Sequence, residues 1–147
     1  MTEDQDMYEK LKLKSQLCFP LYACSKEIVR RYKPFLDPLE LTYTQYLVMI
    51  VMWEEENLTF KVLGEKLWLD SGTLTPVIKK LDSKGFIRRE RSLADERTVN
   101  LSITDEGRRL KEKAKTIPKF MGDLIKLEPE EFKQLHKLLY KILNGFK

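Results

Sequence analysis

Hydrophobic periodicity switches at Gly85, and the switch leaves few folds open. Ahead of it, Leu74, Val77, Ile78 and Leu81 fall at i, i+3, i+4 and i+7, so at about 100° per residue they form one buried stripe of a helix. Behind it, Phe86 to Arg91 and Thr98 to Ile103 read as strands, the second alternating Val99, Leu101 and Ile103 with Thr98, Asn100 and Ser102. Glycine ends the helix because it accepts the left-handed backbone that closes a helix C-terminus. Ser92 to Arg97 then supplies a hairpin connection, so a helix runs directly into a two-stranded ribbon.

The flanking signals extend this order in both directions. Thr59 is placed to cap a short helix carrying Val62, Leu63 and Leu67, and after the break Trp68-Leu69-Asp70 the next cap is Asp70 or Ser71. Thr42 with Gln45 forms a capping box ahead of the apolar run Tyr46 to Trp53. From Tyr8 to Leu36 apolar residues recur at helical spacing, with Leu17, Leu21 and Ile28 on one line and Cys18, Tyr22, Val29 and Tyr32 on the next, which reads as one or two helices. Pro20 either kinks that helix or starts it, and Pro34 and Pro38 bring the segment to a loop. Downstream, Thr104 caps a helix with Asp105 and Glu106 in its first turn, Pro118 ends or bends it, and a last helix opens near Glu128-Pro129. That last helix carries Phe132, Leu135, Leu138, Leu139, Ile142, Leu143 and Phe146. The expected fold is mainly α with a small β-hairpin wing: a winged helix-turn-helix over about residues 42–104, flanked by terminal helices over about 8–36 and 108–147.

Composition sets the bounds. At 147 residues and 42% hydrophobic content the chain has the size of one ordinary domain with a real core, so a single domain over 1–147 is expected. Its 27 Lys+Arg against 23 Asp+Glu give a net charge of +4, which permits nucleic-acid binding without demanding it. No apolar run reaches the roughly 18 residues of a membrane span, and Met1 to Asp6 is polar and acidic, so a soluble cytoplasmic protein without membrane association is expected. The two cysteines, Cys18 and Cys24, are too few for a disulfide scaffold and lack metal-ligand spacing, so no cofactor is expected. Six residues of helix hold their Cα atoms roughly 9 Å apart, beyond disulfide reach. Any disulfide they form involves another molecule or subunit.

Local charge is more telling than the total. Opposite its buried stripe, the helix before Gly85 presents Ser71, Gly72, Thr73, Thr75, Pro76, Lys79, Lys80 and Ser83, a layout that suits insertion into a groove of duplex DNA. Lys84, Arg88, Arg89 and Arg91 follow with the single acid Glu90, a pattern for phosphate. At the hairpin tip, Asp95 stands two residues before Arg97, where an arginine could reach the minor groove and be held by the aspartate.

The stretch LWLDSGTLTPVIKKLDSKGFIRRERSLADERTVNLSITDEG, Leu67 to Gly107, resembles the MarR family of transcriptional regulators, with its Asp95-x-Arg97 wing motif and Thr104-led entry into the next helix. The resemblance covers nearly the whole chain. It implies a homodimer whose first and last helices intertwine, reading two half-sites of a palindromic operator about one helical turn apart. SQLCFPLY (Ser15 to Tyr22), RYKP (Arg31 to Pro34), LTYTQY (Leu41 to Tyr46) and LDSGTLTP are similar to the organic hydroperoxide resistance branch. That likeness implies oxidation of Cys18 by organic hydroperoxides, with Tyr22 and Tyr32 bonding its sulfur across the dimer and Tyr43 nearby. No cysteine follows Cys24 to act as a resolving thiol in the C-terminal part, which implies the one-cysteine mode, with capture by a low-molecular-weight thiol or further oxidation. Staphylococcal global regulators of virulence and antibiotic resistance share the cysteine and much of the motif.

The expected function is thus a repressor that leaves its operator when Cys18 is oxidised. A regulator gated by a small phenolic ligand, or a redox-sensing global regulator, is the alternative within the family. A turnover thiol peroxidase is disfavoured, because no resolving cysteine or evident catalytic base accompanies Cys18. A winged module binding protein without DNA is disfavoured by the basic wing. His136, the one histidine, reads as a solvent-edge residue of the last helix.

Overall fold

A computed structural model describes residues 1–147 and forms two compact units, Met1–Lys115 and Thr116–Lys147. The first unit runs α1 (Glu3–Leu11), α2 (Cys18–Leu36), α3 (Tyr43–Glu55), β1 (Asn57–Thr59), α4 (Phe60–Leu67), α5 (Ser71–Ser83), β2 (Ile87–Arg91), β3 (Val99–Ile103) and α6 (Asp105–Ala114). The second holds α7 (Ile117–Leu124) and α8 (Pro129–Asn144). No helix is long and apolar enough to cross a membrane.

Local capping chemistry places most helix starts. The Thr42 hydroxyl accepts the Gln45 amide at 3.2 Å while the Gln45 carboxamide accepts the Thr42 amide at 3.2 Å, fixing the entry to α3. Thr59 caps α4 through the Val62 amide, Asp70 caps α5 through the Thr73 amide, and Thr104 caps α6 through the Gly107 amide. Of the two expected caps for α5, Asp70 is the one used. Gly85 lies beyond the end of α5 at φ +80°, and the Phe86 amide reaches back to the Leu81 carbonyl at 3.1 Å.

The N-terminal region differs from the expected helical span of 8–36. A helix begins earlier, at Glu3, under a Thr2–Gln5 capping box, and stops at Leu11; a 3-10 turn at Leu13–Ser15 separates it from α2. Because α2 begins at Cys18, Pro20 is its third residue and lies in the first turn, where the missing amide hydrogen would have had no helical partner, so the helix starts just ahead of the proline and accommodates it. Pro34 does not end α2 but lies within it; the ending falls to the 3-10 turn Asp37–Leu39 and to Glu40, which is left-handed at φ 56°. Likewise Pro118 does more than end a helix: it stands in the first turn of α7.

The hairpin strands pair antiparallel, Ile87 opposite Ile103 and Arg91 opposite Val99. A third strand, β1, pairs antiparallel with the other side of β3, Leu58 opposite Leu101, so the order is β1-β3-β2. Three residues are too few to show alternation, and β1 was not legible in sequence. Its pairing buries the centre of β3, where Leu101 is 1% exposed. Val48, Met49, Met52, Leu63, Leu74, Ile78, Leu81 and Ile87 are among the other core residues of this unit, while Val77 of the expected stripe is only half-buried.

In the second unit α8 has no buried residue, although Phe132, Leu135, Leu138, Leu139 and Ile142 are all large and apolar. His136 lies exposed between the rings of Phe132 and Tyr140, as expected of a solvent-edge residue.

The β3–α6 junction is the tightest point. A Cβ on Gly107 would stand 2.1 Å from the Phe86 carbonyl oxygen, which itself accepts the Thr104 amide at 3.2 Å. Gly107→Ala is therefore expected to cost about 3 kcal/mol, the upper part of the range for overpacking, in urea unfolding. A cost below about 1 kcal/mol would show that Phe86 yields freely.

Candidate functional site

The outward face of α5 gathers the residues expected to read DNA. Ser71, Thr73, Lys79 and Lys80 are exposed. Thr75 shares the face but is half-buried, and its hydroxyl donates to the Ser71 carbonyl at 2.6 Å. Asp70 accepts the Thr73 amide at 2.7 Å, and that bond holds its carboxyl below the usual carboxylate range. Pro76 lies inside the helix and offers no amide to the Gly72 carbonyl one turn back. The N-terminal turn of α5 is thus secured by side chains as much as by backbone.

The wing is braced from within. Asp95 Oδ1 accepts both the Arg97 backbone amide at 3.0 Å and its Nε at 3.4 Å, while the Arg97 side chain stays 93% exposed. Ser92 Oγ accepts the Ala94 and Asp95 amides, and Arg91 donates to the Glu96 carbonyl at 3.0 Å. Along β2, Arg88 and Arg89 are both exposed and alternate between faces, with Arg88 opposite Ser102 and Arg89 opposite Leu101. Lys84 does not join this basic group. Its ammonium turns inward to the Glu40 carbonyl and to Gln45 Oε1 at 3.1 Å.

Cys18 is exposed with a free thiol at the first residue of α2, among amides that lack helical acceptors. Tyr22 lies one turn on along the same face, with the Lys26 ammonium 5.0 Å from its ring centre. Tyr32 is fourteen residues beyond Cys18 on the same helix, hence about 21 Å along the axis, so one chain does not bring the two together. Tyr32 instead meets Tyr43 at 4.8 Å between ring centres and Tyr46 at 5.6 Å, and Tyr46 continues to Trp53 at 6.3 Å. Tyr46 is a member that sequence reasoning assigned only to the buried helix; its spacing of three from Tyr43 was the available signal. Cys24 is exposed and free as well.

Burial disfavours the phenolate throughout this cluster. It pushes Tyr32 up to about 12, with Tyr43 and Tyr46 adding to the effect, and raises Tyr43 and Tyr46 in the same direction. All three are phenols, able to donate a hydrogen bond, at neutral pH. Because the folded-state value of Tyr32 exceeds that of an unfolded tyrosine, the unfolded chain loses its proton first and stability falls as pH rises from about 10 to about 12. Tyr32→Phe is expected to flatten that alkaline decline in thermal unfolding and to remove the last phenolate transition in an absorbance titration. An unchanged alkaline limb would mean that Tyr32 titrates normally.

The family model of SarA/Rot transcriptional regulators matches residues 30–114, from the second half of α2 through α6. The organic hydroperoxide resistance transcriptional regulator of Bacillus subtilis is 49% identical over 140 residues, covering 95% of each chain. Among solved structures, reduced AbfR bound to DNA is 31% identical with a TM-score of 0.80, covering 97% of this chain and 99% of the other; AbfR comes from Staphylococcus epidermidis. The disulfide form of AbfR covers 96% and 99% at 32% identity with a TM-score of 0.65. With the winged region, the flanking helices and the sequence all in agreement, this chain belongs to the MarR/SarA family of transcriptional regulators, in its organic hydroperoxide resistance branch.

Proposed function

We propose that this regulator is a homodimeric repressor that holds a palindromic operator while Cys18 is reduced and releases it when an organic hydroperoxide oxidises Cys18. The observation that carries the reading is a free, exposed thiol at the start of α2 in a chain 49% identical to a regulator of organic hydroperoxide resistance. The thiolate attacks one peroxide oxygen and the O–O bond breaks. The alkoxide leaves and takes up a proton as the alcohol, while the sulfur becomes a sulfenic acid. A low-molecular-weight thiol then condenses with it, losing water and leaving a mixed disulfide.

The single domain of 1–147 dimerises through its terminal segments, about 8–36 and 108–147, around the winged region of about 42–104. Unburied apolar residues of the N-terminal region and of α8 supply that interface: Leu11, Leu17 and Phe19 near the sensing end, Leu138 and Ile142 on α8. Since Cys18 and Tyr32 stand at opposite ends of α2, two antiparallel copies of α2 bring the thiol of one to the phenols of the other. Tyr22 and Tyr32 then donate to the sulfur as it gains oxygen, with Tyr43 nearby, packed against Tyr32. AbfR, solved both reduced on DNA and in a disulfide form, matches this chain with different TM-scores, so a relative has more than one backbone arrangement.

DNA is held by Ser71, Thr73, Thr75, Lys79 and Lys80 from α5 in the major groove, by Arg88 on phosphate, and by Arg97, positioned by Asp95, in the minor groove. Arg97→Ala is expected to weaken operator binding more than about tenfold and to reduce the salt slope by about 0.9 per subunit. Equal affinity and slope would remove the wing from the interface. The deciding experiment compares operator-fragment binding by wild type and Cys18→Ser, before and after cumene hydroperoxide, at fixed salt. Release by the wild type alone is expected; release by both or by neither would rule Cys18 out as the switch.

A further inference from the structure

Lys84 stands out because its charge is spent in an unexpected place. It is the last residue of the turn that ends α5, next to Lys79, Lys80, Arg88 and Arg89, where a lysine would ordinarily be assigned to phosphate. Its ammonium instead donates to the Glu40 carbonyl and to Gln45 Oε1, residues separated from it by 44 and 39 positions in sequence. Gln45 is 4% exposed and uncharged, and the same oxygen also accepts the Thr42 amide at 3.2 Å. Glu40 is the left-handed residue that turns the chain from α2 toward α3.

Both acceptors belong to one corner. On one side of it the Tyr32, Tyr43 and Tyr46 rings join α2 to α3; on the other, Lys84 joins that corner to the end of α5. Packing through Leu74, Ile78 and Leu81 holds the inner face of α5 against the core, and the Lys84 bonds add a fixed point at the helix C-terminal end. A charged donor shared between two fixed oxygens is directional, and hydrogen bonds of this kind are stronger than neutral ones.

We propose that Lys84 is a positioning residue that sets the orientation of α5 against the α2–α3 corner, and not a ligand of DNA phosphate. The proposal rests on the DNA-binding reading but not on Cys18.

The test uses the full chain and two duplexes: one selected from a random-sequence pool by the wild-type protein, and a scrambled duplex of equal length and base composition. Lys84→Met is expected to weaken binding to the selected duplex by about tenfold or more while binding to the scrambled duplex stays within about twofold, with an unchanged slope of log affinity against log salt. Gln45→Met alters no charge and is expected to reproduce the selective loss, and the double variant to lose no more than the worse single one. A phosphate contact would instead lower the slope by about 0.9 per lysine, about 1.8 for a dimer, and weaken both duplexes in parallel. That result, or wild-type binding of both duplexes by Lys84→Met, overturns the proposal. Thermal unfolding runs alongside; should Lys84→Met fail to fold, Lys84→Gln and Gln45→Met carry the same comparison with the same opposing outcomes. A wild-type chain that selects no duplex would overturn the DNA reading and this proposal together, whereas the other outcomes leave the DNA reading standing.

Discussion

Thr104 donates its amide to the Phe86 carbonyl and its hydroxyl to the Gly85 carbonyl at 2.5 Å, and Gly107 leaves the space in which these bonds form. Two connections meet there: the Gly85–Phe86 link between α5 and β2, and the turn from β3 into α6. The Trp53 indole closes the junction from α3 by donating to the Gly107 carbonyl at 2.8 Å, and the Arg108 guanidinium adds a pair with Glu56 at 3.0 Å. Arg108 is half-exposed, so its pair contributes little by itself. The weight falls on the short-range backbone fit, which sets the angle between the helix that faces outward and the hairpin beside it.

What could be read from the sequence divides by the range of the interactions involved. The capping residues Thr42, Thr59, Asp70 and Thr104 act on amides three positions away, so their roles are written locally and the structure uses each of them. The stripe of α5 and the alternation of β3 were equally local. Misread features depended on partners outside the window. β1 is a strand because Leu58 finds Leu101, which nothing near Leu58 announces. The helical pattern from Tyr8 to Leu36 allows one helix or two, and the structure has two, but the place of the break at Leu13–Ser15 is hidden because a 3-10 turn preserves much of the apolar spacing. Prolines are the least decisive: Pro20 and Pro118 sit in first turns and Pro34 lies inside α2, two outcomes that a proline alone does not separate.

The site shows the same division. Cys18 and Tyr22 share a face by helical spacing, and Asp95 and Arg97 are joined across two residues, so both pairs were visible from sequence alone. Tyr46 joins Tyr32 and Tyr43 only once α2 and α3 are folded together. Lys84 was grouped with the arginines that follow it because charge patterning records sign and position but not where a long, flexible side chain turns. No single-chain arrangement joins Cys18 to Tyr32, and that gap could be inferred only from helix length.

Arg97 is nearly bare of neighbours, yet its backbone and its guanidinium are both tied to one carboxylate oxygen. A solvated arginine normally surrenders much of its conformational entropy at the moment of binding. Here a share of that cost is met during folding, by a loop that Ser92 also pins through two amides. On the proposed reading the wing tip is thereby preorganised for DNA, with Ser92 and Asp95 contributing to affinity through the shape of the loop. Sequence drift at those two positions would loosen binding while leaving every contacting residue unchanged.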